Sequence, residues 1–193
     1  MSKQIWKPGN MLYPLPAVMV SVADKAGNSN IITLAWVGTV CSDPAMVSIS
    51  VRKERFSHHM LKETGEFVIN LTTEKLVRAM DACGVKSGRD TDKFKEMGLT
   101  AAAASTVKAP LIAESPVNIE CKVRQVLELG SHDMFVAEVT AVQADEAFMD
   151  DKNRFCLDKA GLIAYSHGTY YSLGKALGTF GYSVRKKKGG KEQ

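Results

Sequence analysis

A mainly β fold, a small Greek-key barrel with peripheral helices, is what this chain of 193 residues predicts. Three observations carry that expectation. Segments of β-branched alternation recur along most of the chain, the helical stretches between them are short, and the connections are hairpin-sized. No Gly-x-Gly-x-x-Gly follows any strand, so a Rossmann unit is not expected.

Ala17 to Val22 forms the first expected strand and ends in the turn-rich run Asp24-Lys-Ala-Gly-Asn28. A second strand spans Asn30 to Val40, Asp43-Pro44 breaks it, and Met46 to Val51 resumes the alternation. Ser57 reads as the N-cap of a helix over His58 to Glu63, with Gly65 as its left-handed stop. Phe67 to Leu71 is a strand. Thr72 or Thr73 caps a helix over Glu74 to Cys83 that ends at Gly84, and a third short helix, begun at Asp90 or Thr91, covers Asp92 to Met97 before Gly98. Ala101 to Lys108 is a connector. Val117 to Glu128 and Met134 to Ala144 form a long hairpin around Leu129-Gly-Ser-His-Asp133. Residues 149–171 carry no clear pattern, and the chain after Val184 reads as a solvated end.

Composition narrows the function classes. Hydrophobic residues make up 45% and charged residues 24%, enough for a sizeable core. The five basic residues after Val184 stand against Glu192 alone, a balance equal to the +4 of the whole chain. The body is therefore near neutral, and no nucleic-acid face is expected. Cys41, Cys83, Cys121 and Cys156 lie far apart, consistent with reduced thiols in a cytoplasmic protein. No apolar run approaches a membrane span, and none at the start resembles a signal peptide. His58 and His59 diverge by about 100° on a helix, and no ligand spacing occurs elsewhere, so no metal site is expected.

Chemistry could reside in four places. Arg52, Arg55 and Ser57 before a helix form either an anion corner or an ordinary solvated turn. Lys86-Ser-Gly-Arg-Asp-Thr-Asp-Lys-Phe94 reads either as a loop that brings backbone close to a ligand or as a loop leading into a helix cap. His132 either meets a ligand at the barrel mouth or is simply exposed, and Trp36 either lines a ring-binding surface or belongs to the core.

Seven short stretches then occur in a telling order: Pro14-Leu-Pro-Ala-Val18, Asp24 to Asn30, Ser42-Asp-Pro44, Gly65-Glu-Phe-Val-Ile-Asn70, Ser87-Gly-Arg-Asp-Thr-Asp-Lys-Phe94, Ile119-Glu-Cys-Lys122 and Leu129-Gly-Ser-His-Asp133. Over residues 10–148 the chain resembles the flavin reductase-like family, and within it the flavoredoxin type. The resemblance implies an FMN-binding split barrel over residues 1–170 with an extension over 171–193, a homodimer, and flavin near the subunit boundary. It implies electron transfer to flavin from NADH or NADPH, or alternatively from a redox protein partner to a flavoredoxin-type carrier.

Carried onto this sequence, the resemblance implies that Thr33, Leu34, Ala35 and Trp36 run along the isoalloxazine. Ser50, Val51 and Arg52 hold the ribityl-phosphate, with Ser57 and His58 at the phosphate. Ser87, Gly88, Lys93 and Phe94 close the site, and His132 stands where a nicotinamide docks. The chain departs from the family at Trp36, where many members carry a small polar residue, and at Ala45, where they carry a second proline. In such chemistry the redox steps belong to the flavin and the protein binds and tunes it, so the lack of a catalytic acid–base constellation fits.

Overall fold

Two strands that are neighbours in sequence form the opposite edges of one sheet. In the computed structural model, which describes residues 1–185, seven strands are central: β1 (Val18–Ala23), β2 (Ser29–Leu34), β3 (Val37–Ser42), β4 (Ala45–Arg52), β5 (Glu66–Leu71), β6 (Val117–Leu129) and β7 (His132–Ala144). They pair antiparallel throughout in the order β2-β1-β5-β6-β7-β4-β3. Only Ala35 and Trp36 join β2 to β3, so the sheet must roll until its edges meet at that dipeptide. The Ser50 N–H donates to the Trp36 carbonyl (2.9 Å), which carries the β3–β4 pairing up to the seam. The single strand expected over Asn30 to Val40 is therefore two strands. From Asn30 to Val37 no glycine, proline or charged residue marks a break, and only closure of the barrel divides the run.

Alternation sorts the side chains into two apolar layers. Inward residues include Val18, Val20, Ile32, Ile49, Phe67 and Phe135, and Met60 and Leu61 of α1 (Phe56–Thr64) plug one end. On the outer face of β1 and β2, Met19 and Ile31 pack under Met80 and Cys83 of α2 (Val77–Val85) and Phe94 of α3 (Lys93–Met97). This double coverage buries all six residues of β1. Each such aliphatic or aromatic side chain contributes about 1.5–3 kcal/mol by leaving water.

Four expected helix ends differ in the structure. Arg55, not Ser57, occupies the N-cap of α1; Ser57 is buried inside the helix, where its hydroxyl accepts from Asn30 Nδ2 (2.8 Å). Gly84 does not stop α2, which begins after a 3-10 turn at Glu74–Leu76 and continues to Val85. A Cβ on Gly84 would lie 3.1 Å from that of Thr33, so this glycine allows close helix–strand packing. At α3 the Gly98 stop agrees with the structure, but the start expected at Asp90 or Thr91 moves to Asp92, which is the N-cap. Asp92 accepts from the Lys95 N–H, and Gly98 closes the helix in the left-handed region.

The expected 101–108 connector begins as a short strand, with Ala101 and Ala102 paired to Ile112 and Leu111, and two carboxylates hold the rest, Glu66 at the Lys108 N–H and Glu120 at its middle. Buried Glu120 accepts from the backbone N–H and hydroxyl of both Ser105 and Thr106, and from Gln143 Nε2. Burial raises its pKa, but these hydrogen bonds outweigh that and bring it to about 2. Residues 149–171, unassigned from sequence, contain β8 (Ile163–Ser166), which turns at His167-Gly168 into β9 (Thr169–Ser172). Both turn residues have positive φ, the backbone a tight hairpin needs. β8 also pairs with Leu15–Pro16. The basic tail beyond Arg185 lies outside the described residues.

Candidate functional site

Two cavities meet at the end of β4. The first, about 510 Å³, is walled by Ile32, Thr33 and Leu34 of β2, the Ala35-Trp36 seam, Ser50 and Arg52 of β4, and His132. Asp81, Gly84 and Val85 of α2 and Tyr165 and Tyr170 of the hairpin complete it. The second, about 380 Å³, lies beside Asn30, Arg52, Arg55, Ser57, Lys86, Ser87, Gly88, Arg89 and Lys93. Ile32, Arg52 and Arg55 line both. A flat slot therefore opens into a cationic recess.

The recess has the features of an anion cradle. Five basic side chains face it against one carboxylate, Glu54, which pairs with Arg52 (2.9 Å). No side chain caps the N-terminus of α1; the His58 N–H donates to the Arg55 carbonyl (2.9 Å), and those of Phe56 and Ser57 keep their capacity to donate. Lys93 is buried, with Nζ donating to the carbonyls of Ile31 (2.6 Å) and Cys83 (2.8 Å). Burial pulls the Lys93 ammonium down to about 8. Gly88 presses against Asn30: a Cβ there would sit 2.4 Å from Asn30 Oδ1. Only a glycine brings the Ser87-Gly88 backbone that close.

The flat slot is framed by rings and short contacts. Trp36 and His132 lie parallel, with centroids 6.5 Å apart and planes 2° from each other. His132 begins β7 rather than lying in the loop, paired with Arg52 across the ladder. Thr33 Oγ1 donates to the Met80 carbonyl and fixes β2 against α2. Tyr170 donates to Asp81 Oδ1 (2.8 Å), which ties the hairpin to the same helix. Burial and the neighbouring Asp81 carboxylate push the Tyr170 phenol up to about 12, so it remains a donor at neutral pH.

Most residues singled out from sequence gather here. Thr33, Leu34, Ala35, Trp36, Ser50, Arg52 and His132 line the slot, and Ser57, Ser87, Gly88 and Lys93 line the recess. Three lie elsewhere. Val51 points into the barrel core, Phe94 packs in the layer under α2, and the His58 ring turns to Asp133. Sequence reading missed Asn30, Asp81, Gly84, Tyr165 and Tyr170. Only the His167-Gly168 turn pair could have signalled the tyrosine hairpin. Among the described residues no cluster of His, Cys, Asp and Glu could hold a metal ion, and no helix is long and apolar enough to cross a membrane.

The family model described as a flavin reductase like domain matches residues 11–174. Over 95% of this chain and all of the other, the structure superposes on flavoredoxin of Desulfovibrio vulgaris (Miyazaki F) with a TM-score of 0.88 and 29% identity. Flavoredoxin from Methanosarcina acetivorans gives 0.84 and 26% over the same shares. A protein of Archaeoglobus fulgidus is 34% identical over 142 residues, which are 73% of this chain and 78% of the relative.

Proposed function

Since the chain belongs to the flavin reductase-like family, we propose that it binds FMN and works as an oxidoreductase, accepting electrons from NADH or NADPH. The observation that carries this reading is the joining of the flat slot to the five-cation recess through Arg52 and Arg55. A planar heterocycle ending in a phosphate has that shape and that charge distribution. FMN, when bound, supplies the redox chemistry, taking up a hydride and passing electrons on.

The chain's own groups do the rest. Arg52, Arg55, Lys93 and Ser57, with the Ser87-Gly88 backbone, would hold the phosphate by charge-assisted hydrogen bonds, each about 1.5–3 kcal/mol. The Thr33 to Trp36 backbone would align the ring system. Tyr170 and Asp81, tied to each other, would wall the ring on the α2 side. His132 and Trp36 stand at the open side of the slot, where a nicotinamide would approach.

The competing reading is a flavoredoxin-type carrier reduced by a protein partner, which the likeness to two flavoredoxins favours. One anaerobic experiment separates them. Purified protein saturated with FMN is followed by its visible absorbance while NADH and then NADPH is added. Rapid bleaching with either supports the reductase and names the donor. A bound flavin bleached by dithionite but by neither nucleotide overturns the reductase in favour of the carrier. Failure to retain FMN overturns both.

A further inference from the structure

A third cavity, about 540 Å³, lies on the other side of Trp36. The segment Gly9–Tyr13, Leu15, and Val37 and Gly38 of the edge strand β3 form it, and it shares Asn10, Trp36 and Ser50 with the flat slot. No charged side chain lines it. It is an apolar groove open beside the candidate site.

The same chain carries an apolar segment with nothing to pack on. After β9 the backbone leaves the body, and residues 173–184 present Leu177 and Phe180 to solvent at 87% and 104% of full exposure. Leu173, Tyr182 and Val184 are exposed as well. The segment nonetheless holds a shape. The Tyr182 ring sits against Gly178, where a Cβ would meet it at 2.6 Å, and the Tyr182 N–H donates to the Thr179 carbonyl (2.9 Å). An ordered arm that displays its large apolar side chains outward is shaped for a surface outside its own fold.

We propose that residues 173–184 of one copy occupy the groove beside Trp36 in a second copy of this chain, and so wall the open side of the flat slot. Three observations select this occupant. The arm does not use its own groove, whose lining contains no residue beyond Ser50. Arm and groove are both apolar, the arm holding Lys175 as its one charge. Both also start from one small sheet: β8 pairs with Leu15 and Pro16, and Tyr13 packs on Tyr165 and His167, while the arm leaves from the end of β9. A two-fold axis beside that sheet brings each arm to the other's groove and satisfies both at once. The eight residues 173–180 that precede its 3-10 turn reach about 26 Å when extended. The contact needs no cofactor, so it stands or falls apart from the flavin reading.

Cross-linking tests it. Phe180 is replaced by p-benzoylphenylalanine in chains grown with either nitrogen-14 or nitrogen-15, and the two are mixed, equilibrated and irradiated. The expected product joins the arm to residues 9–15 or 36–38, with about half of the cross-linked peptides carrying both isotopes. Cross-links of single isotope composition, cross-links elsewhere, or none would overturn the proposal. In sedimentation, Leu177→Glu with Phe180→Glu should weaken self-association at least tenfold; unchanged association, or a native chain that does not self-associate, would also overturn it.

Discussion

His58 Nε2 lies 2.8 Å from Asp133 Oδ2, and this pair ties α1 to the start of β7. Asp133 is nearly inaccessible, its Oδ1 has no hydrogen-bond partner, and the Lys53 ammonium stands 3.4 Å from that oxygen. Burial raises the carboxyl's pKa, but His58 and Lys53 outweigh it and hold it below the ordinary aspartate range. A carboxylate depressed on folding stabilises above its unfolded pKa, and that contribution is lost as pH falls through the folded value. His58→Ala should therefore raise the midpoint of acid unfolding, by roughly several tenths of a pH unit. Asp133→Asn should flatten the fall in stability below about pH 4. Circular dichroism during acid titration checks both; an unmoved midpoint in His58→Ala refutes the coupling.

Arg52 tests the recess as a phosphate site. Arg52→Ala removes a guanidinium that is free to leave Glu54 for a stronger anion. Affinity for FMN should drop roughly 10- to 100-fold, the equivalent of one charge-assisted hydrogen bond. Riboflavin, which lacks the phosphate, should lose little. Equal losses in fluorescence titrations of the two flavins would place the phosphate elsewhere.

Gly88→Ala forces a methyl group onto the Asn30 amide, which is buried and bonded to Ser57. Overpacking of this kind costs about 1–3 kcal/mol. Chemical denaturation should show that loss, and the double variant Gly88→Ala with Asn30→Ala should recover part of it. No recovery would mean that the backbone, rather than Asn30, resists the added atom.

Lys93 gives the recess a pH dependence. Its ammonium is held at about 8, and only the charged form attracts a phosphate. FMN affinity should fall as pH rises through about 8, whereas Lys93→Met should bind more weakly and lose that inflection. Titrations between roughly pH 6.5 and 9.5 would show it. An inflection that survives in the variant assigns the titration to another group.

Strand alternation and glycine stops made the β-rich fold and α3 legible, because both are local signals. Thr33, Leu34 and Ala35 became site candidates only through the family resemblance, whereas Trp36 and the Ser87 to Lys93 run also stood out by their own residue types. What sequence could not reveal was tertiary in origin. Nothing between Asn30 and Val40 announces that Leu34 and Val37 belong to opposite sheet edges. Ser57 has the chemistry of a cap, yet Asn30, 27 positions away, makes it a buried acceptor. Gly84 resembles a stop signal until Thr33 is seen against it. His58 sits beside Ser57 in the chain, but the helix turns its ring toward Asp133 and away from the recess.

The Ala35-Trp36 seam has a consequence for how this chain tolerates changes in length. Residues 146–162 could absorb an inserted residue at the periphery, since only short 3-10 turns and isolated bridges occupy them. One residue added at the seam would change the span between the two edges and reverse the facing of Trp36 relative to β2 or β3. Homologous chains should therefore vary in length around the former and keep the dipeptide spacing at the latter.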